Sequence, residues 1–326
     1  MNTPFACSDC ADFSRRGFLK TAAVASAALA APGISAAPTM KSKAEKLAAE
    51  LFASLNDEQR KVMAFPFNHK LRQRTENNWR ITKTFAQVLN ADQTDLAKQA
   101  FLAMHSEEYR DAVLKQFVHD NDKKFNKGSI AFFGDPKTDK FQMVFTGRHT
   151  TRRVDGNSVG GATFGGPIFY GHAARSFYEK KDHQGNVYWF QAVQANKLFA
   201  MLDGKQREKA LEAKGRKEQS AKTVKLKGKG ADLEGIAFGD LSKDQKGQVN
   251  KVLADLLALF RKEDRDEALK QINANGFDNH HIAFYKHGDI GNDRVWDVWQ
   301  IEGPAMVWYF RGEPHVHTWA HIRAKA

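Results

Sequence analysis

Cysteine is nearly missing from this sequence, and both copies, Cys7 and Cys10, lie close to its start. Their spacing is that of a zinc or redox pair, but both precede a targeting signal and are expected to be removed with it. Disulfides and thiolate ligands are therefore excluded from the mature protein. Any metal ion in it would have to be held by imidazole, carboxylate or backbone oxygen.

The most apolar stretch near the start of the chain is too short to span a membrane. It runs from Thr21 to Ala31, is mostly alanine, and falls short of the roughly 20 strongly apolar residues that a spanning helix needs. It follows Ser14-Arg15-Arg16-Gly17-Phe18-Leu19-Lys20, a twin-arginine signal. We expect residues 1–37 to be a signal peptide read by the twin-arginine machinery. The mature protein is then periplasmic or secreted, without stable membrane insertion.

Aromatic residues are absent from the most basic part of the chain, Lys205 to Lys229. This segment contains ten Lys/Arg against three Glu, within a chain of formal net charge +12. Stacking on nucleic-acid bases would need aromatic side chains, and an exported protein rarely meets nucleic acid. We therefore expect a solvated helix end and loop rather than a nucleic-acid site. A third possibility is that this basic segment binds an acidic partner.

The sequence resembles itself at two places. Leu51–Arg60 matches Leu198–Arg207, and Phe101–Phe117 aligns without gaps onto Leu256–Ile272. Apolar residues recur in these stretches at helical spacing, so each match joins two predicted helices. Two helices in the same order, at a nearly constant offset, indicate an internal repeat.

Segments of strand character follow the predicted helices in both parts of the chain. Ile130–Phe133 and Phe141–Phe145 form a predicted hairpin, and the first of them corresponds to Ile282–Tyr285. The sequence thus predicts an α+β protein of two pseudo-repeated halves, residues 38–190 and 191–326, each with helices followed by an antiparallel β-meander. The alternative is one continuous domain with coincidental helix similarity.

Histidines recur at alternate positions near the end of the chain, in a predicted strand. Residues two apart in a strand share a face and are separated by roughly 7 Å, so His315 and His317 can share an ion. His321 lies roughly 20 Å from His315 on the same scale and should not join them. The repeat places His149 and His172 in the first half's version of this region. The alternative is that all these histidines are ordinary polar residues on an exposed sheet face.

A mononuclear metal site is the sharper interpretation of these histidines. His315 and His317 would be completed by His149 or His172, and a sulfur-free imidazole set suits copper, zinc or iron. An open coordination position could polarise a substrate oxygen or activate water or dioxygen. One carboxylate near the ion would serve catalysis, and the candidates for it are Glu302 and Asp297.

Three stretches resemble a bacterial family catalogued only as a domain of unknown function, number 3500. They are Asp155-Gly-Asn-Ser158 running into Phe164-Gly-Gly-Pro-Ile-Phe-Tyr-Gly-His172, then Glu302-Gly-Pro-Ala305, and Phe310-Arg-Gly-Glu-Pro-His-Val-His317. The resemblance covers the chain from about Ala44 to its end, and it implies a shared fold and a shared site but no established activity. In other members the HxH strand tends to follow an asparagine, whereas Glu313-Pro314 precede it here.

These observations predict an exported enzyme with a histidine-held metal that acts on a small molecule. We favour redox over hydrolytic chemistry because the twin-arginine route moves folded proteins and suits a cofactor acquired before export. The alternative is a non-catalytic periplasmic protein whose aromatic, histidine-lined cleft captures a ligand or sequesters metal. A carboxylate placed near the ion as a proton acceptor would favour the enzyme.

Overall fold

A computed structural model of the chain describes residues 42–138, 140–172, 187–286, 296–312 and 315–326. The predicted signal peptide, residues 1–37, and Glu313-Pro314 lie outside these ranges. The described residues form nine α-helices and one mixed sheet of eleven strands, which confirms the α+β class. No helix in these ranges combines the length and the apolar character needed to cross a bilayer.

The helices fall into groups that precede each part of the sheet. They are α1 (Lys43–Ser54), α2 (Asp57–Met63), α3 (Phe85–Val88), α4 (Ala91–Ala103), α5 (Arg110–Asp120), α6 (Trp189–Met201), α7 (Gly204–Ala210), α8 (Lys243–Leu257) and α9 (Lys262–Ala274). Among the helices of seven residues or more, four begin with a capping box, in which a polar side chain and a glutamine three residues later satisfy each other's backbone N–H groups. The four capping residues are Asn56, Asn90, Asp203 and Ser242.

The strands form two antiparallel meanders joined at their inner edges. They are β1 (Ala64–Phe65), β2 (Ser129–Gly134), β3 (Phe141–Gly147), β4 (Thr150–Val154), β5 (Ile168–Gly171), β6 (Leu211–Glu212), β7 (Ile236–Ala237), β8 (His281–Tyr285), β9 (Val298–Gly303), β10 (Met306–Arg311) and β11 (His317–Ile322). The sheet order is β1-β2-β3-β4-β5-β11-β10-β9-β8-β6, with β7 also on β8. Strand β5 pairs antiparallel with β11, from Ile168 opposite Ala320 to Gly171 opposite His317. Hydrogen bonds therefore run through both meanders.

Both faces of the sheet are covered, so its strands are buried at nearly every position, polar residues included. The helices pack on one face and form the main core with residues such as Phe132, Trp299 and Trp308. Two segments with little regular structure cover the other face. Residues 66–84 lie over the first meander. Residues 213–235, called the strap below, lie over the second meander, where Val224 packs into the smaller core.

Candidate metal centre

Three histidines from distant parts of the chain meet at one end of the β5–β11 junction. The Nε2 atoms of His149 and His315 are 3.1 Å apart, and those of His315 and His317 are 2.9 Å apart. Two nitrogens bound at about 2.0–2.1 Å to one tetrahedral ion would lie about 3.3 Å apart. The three imidazoles are thus spaced almost as a single ion requires, and their ligand atoms all fall within 4.8 Å of one another.

His149 occupies a strained position in the two-residue turn between β3 and β4. Its φ angle is 56°, in the left-handed region that residues with a side chain seldom adopt. Its N–H donates to the carbonyl of Asn77 at 2.7 Å, and the neighbouring Arg148 N–H donates to Oδ1 of Asn121 at 3.1 Å. Such strain costs about 1–3 kcal/mol and is concentrated at functional sites. The turn directs this imidazole inward.

Two carboxylates hold the histidines in one orientation. His149 Nδ1 lies 2.9 Å from Oδ2 of Asp120, and His317 Nδ1 lies 3.0 Å from Oε1 of Glu218. An ionised carboxylate only accepts hydrogen bonds, so each Nδ1 carries the proton and each Nε2 presents its lone pair to the other imidazoles. Asp120 is itself held by the side-chain amide of Gln116, which donates to Oδ1 at 2.8 Å. This arrangement is typical of histidines that bind a metal.

Glu218 reaches the centre from the strap. Besides His317, it accepts from the indole N–H of Trp319 at 3.0 Å and pairs with Nε of Arg311 at 3.3 Å. The basic segment was expected to be solvated, and Lys217 is exposed, but Glu218 is turned into the protein. Neither Glu218 nor Asp120 is apparent from the sequence. For Glu218, the single signal is an acidic residue within a run of lysines.

Burial favours the neutral form of the three imidazoles. It lowers the pKa of His315 to about 3, with the neighbouring imidazoles of His317 and His149 adding to the effect. Burial likewise lowers the pKa of His149 and brings that of His317 well below its ordinary value. Neutral imidazole is the form that ligates a metal. Since His149 and His317 are 5% and 4% exposed, they do not form the exposed sheet face that was the alternative.

Two other histidines that the sequence analysis considered, His172 and His321, lie outside the group of three. His172, at the end of β5, is buried, and its N–H donates to the carbonyl of Val316 at 3.0 Å. The preceding residue, Gly171, is opposite His317 in the sheet, so His172 lies beside the three imidazoles but outside the group whose ligand atoms converge. His321 bonds through Nδ1 to the carbonyl of Val224 in the strap at 3.0 Å.

Glu302 lies farther along the same face of the sheet. Across the sheet, Glu302 of β9 is opposite Val307 of β10, and Val307 is opposite His321 of β11. His321 is four residues along β11 from His317. Four residues of a strand span about 13 Å. Its carboxylate, 1% exposed, pairs with Nζ of Lys227 at 2.9 Å. The structure does not bring Glu302 to the three histidines.

Asp297 lies just before β9, on the helix-covered side of the sheet. Its carbonyl accepts from the N–H of Gly312 at 2.6 Å. A side chain added at Gly312 would meet both the Cβ of Asp297 and the ring of Trp189 in α6. His317 is on the opposite face, so Asp297 is also separate from the histidines. The catalytic roles of Glu302 and Asp297 remain predictions.

Comparison with known proteins bears on export and on family. A twin-arginine translocation signal sequence matches residues 12–32, so the protein is exported through that pathway, to the periplasm or beyond. No curated protein and no solved structure matches the chain. The family described as protein of unknown function (DUF3500) matches residues 38–325, nearly all that follows the signal. The chain therefore belongs to the DUF3500 family.

Proposed function

We propose that this exported protein holds one transition-metal ion on His149, His315 and His317 and uses it on a small molecule. The observation that carries the proposal is the convergence of three Nε2 atoms at 2.9 and 3.1 Å. Three protein nitrogens leave a fourth position of a tetrahedral ion open, as catalytic sites do. Copper, zinc and iron all suit such a set.

Redox chemistry fits the surroundings of the histidines better than hydrolysis. Hydrolysis by metal-bound water is assisted by a base that takes its proton, and the nearby carboxylates, Asp120 and Glu218, are already engaged with imidazole Nδ1 atoms. Their role here is to fix the tautomer and raise the basicity of the ligands. A change of oxidation state requires no such base. Export of a folded protein also suits a metal acquired beforehand.

A non-catalytic metal-binding protein is the second candidate, and the same engaged carboxylates support it. The aromatic cleft that this alternative envisaged has less support, because Trp299, Trp308 and Trp319 are fully buried in the core. Retention of metal without turnover of any added substrate would favour this candidate.

Metal analysis tests the proposal directly. We expect the mature protein, purified from its native compartment, to contain about one metal ion per chain by elemental analysis. The double variant His315→Ala with His317→Ala should lose it. His69→Ala provides the matched control because His69 stacks on Phe65, away from the centre. Equal metal content in the double variant and the parent would disprove the site.

We also propose that the chain consists of two pseudo-repeated halves, 38–190 and 191–326, with the boundary at the start of α6. The support is a hydrogen-bond network that occurs twice. Gln59 donates to Oε1 of Gln93 at 2.7 Å, and Gln206 donates to Oε1 of Gln245 at 3.1 Å. In each pair the second glutamine also donates, at 2.9 Å, to the carbonyl of the last residue of α1 or of α6.

Strand registers support the same repeat. Ala64 of β1 pairs in parallel with Phe132, and Leu211 of β6 pairs in parallel with Phe284, the residue that the sequence comparison matches to Phe132. The antiparallel pairings can be traced from β2 through β3 to β4, and in the same way from β8 through β9 to β10. When residues at matching steps of the two paths are compared, His149 corresponds to Ala305. The repeat therefore supplies a framework, whereas the group of three histidines occurs at one end of the junction and takes residues from both halves.

A further inference from the structure

We propose that the ligand completing this centre is a small anion, such as a carboxylate, drawn in by Arg148 and by the exposed lysines of the strap. This inference rests on the proposed metal site and names the class of molecule that the site takes. Its evidence is independent of the histidine geometry, because it comes from the charges around the centre.

Among the residues that the structure describes, the protein charges beside the three histidines cancel. Asp120 and Glu218 contribute two negative charges through their contacts with His149 and His317. Arg148 acts on His149, and Arg311 pairs with Glu218, so they contribute two positive charges. A divalent ion on three neutral imidazoles would then remain uncompensated. If Glu218 were protonated, the excess of positive charge would be larger.

An uncompensated charge in a buried place favours a negatively charged partner. The ion would be partly removed from water, because His149 and His317 are 5% and 4% exposed and His315 is partly buried. Cations buried in proteins are stabilised by pairing with an opposite charge. The same burial limits the size of the partner, since a polymer chain could not pass between the imidazoles. A small anion satisfies both conditions.

Arg148 is the cation that we assign to the outer end of such an anion. It shares the two-residue turn with His149, and Asn121 holds its backbone on both sides, through the N–H at 3.1 Å and the carbonyl at 3.3 Å. Its side chain is exposed, and within the described ranges its guanidinium has no hydrogen bond or ion pair. A guanidinium binds carboxylate with two parallel hydrogen bonds. The turn is therefore fixed while the cation stays available.

The strap reaches the centre through Glu218 and adds positive charge beside it. Lys217 adjoins Glu218, Lys214 precedes them, and both lysines are exposed. Exposed charges act over about 8–10 Å at physiological ionic strength, which lets them steer an anion before it binds. The strap, which contains no aromatic residue, offers little to a neutral ring.

The test uses mature protein loaded with copper and two probes, azide as the anion and imidazole as a neutral ligand. Binding of each probe is measured by the change in absorbance of the bound copper. We expect azide affinity to fall about two- to fivefold in Arg148→Gln, the size that exposed charge pairs produce, and to fall as salt is raised. Imidazole affinity should not change. Arg110→Gln is the matched control, because Arg110 is exposed at the far end of α5 from Asp120.

Two further measurements separate the possible outcomes. Arg148→Lys should restore azide affinity but not that of oxalate, which needs the paired hydrogen bonds of a guanidinium. Copper uptake with azide affinity unaffected by Arg148→Gln and by salt would overturn the anion proposal and leave the metal site intact. Failure of the parent protein to take up copper, zinc or iron would overturn both.

Discussion

The orientation of His149 and of His317 depends on one carboxylate each. Asp120 and Glu218 accept the Nδ1 protons, and the amide that replaces either carboxylate would support the imidazole less well and without charge. We expect Asp120→Asn and Glu218→Gln each to weaken metal binding about 10- to 100-fold while the far-ultraviolet circular dichroism stays unchanged. Competition with a chelator of known affinity measures the change.

Glu107→Gln is the control for these two variants. Glu107 is exposed ahead of α5 and far from the imidazoles, so its replacement should leave metal affinity as it is. If the two amide variants bind metal as tightly as the parent, the carboxylates do not position the ligands.

Single residues mark the limit of what the sequence could predict about the site. The alternation of His315 and His317 follows from strand geometry, and the repeat drew attention to His149. Asp120 and Glu218 were missed because they meet the histidines only through the fold, from the end of α5 and from an aperiodic strap. Glu302 and Asp297 are close to the histidines in sequence, but they lie on another row and another face of the sheet.

At the scale of elements, the strap connects the histidines to the protein surface. Glu218 links it to His317, and Val224 anchors it in the smaller core beside His321. The strap follows β6 and precedes β7, and between them its only regular structure is the short 3₁₀ helix Ser220–Val224. Its attachment therefore depends largely on side-chain contacts.

Metal binding should protect the strap from trypsin. An ion on His317 fixes the imidazole that Glu218 holds, so cleavage after Lys214, Lys217 and Lys222 should slow about tenfold on metal loading. Mass spectrometry of a digestion time course measures it. Sites outside the strap serve as the internal control, and Glu218→Gln should reduce the difference. Equal cleavage with and without metal would show that the strap is not coupled to the centre.

Longer elements were predicted more successfully than short ones. The hairpin predicted at Ile130–Phe133 and Phe141–Phe145 is confirmed as β2 and β3, because apolar β-formers fill both segments. The two-residue strands β1 and β6 carry no periodic pattern and were not foreseen. Their pairing with β2 and β8 arises from the packing of the preceding helices.

At the scale of the whole molecule, the glutamine network that occurs twice gives the two proposed halves a common test. Gln93 and Gln245 are both buried, and each ties three segments together. Replacing either with alanine removes the donor to one backbone carbonyl, that of Ser54 or of Met201, and the partner of the other glutamine in the pair. We expect Gln93→Ala and Gln245→Ala to lower the free energy of unfolding by similar amounts, about 1–3 kcal/mol each.

Urea unfolding of the two variants measures this prediction. Gln99→Ala is a suitable control, since Gln99 lies within α4 and its amide bonds only to Asp95 of the same helix. If the free energy of unfolding fell strongly in one variant and not in the other, the two proposed halves would not be stabilised alike.

The unbroken pairing of β5 with β11 constrains how this protein could select the proposed ligand. Many proteins made of two domains close around a ligand by bending at a hinge between the domains. Here backbone hydrogen bonds join the two meanders across the middle of the sheet, and they oppose such a hinge motion. We therefore expect the proposed ligand to be selected by the size and charge of a site whose shape is fixed before binding.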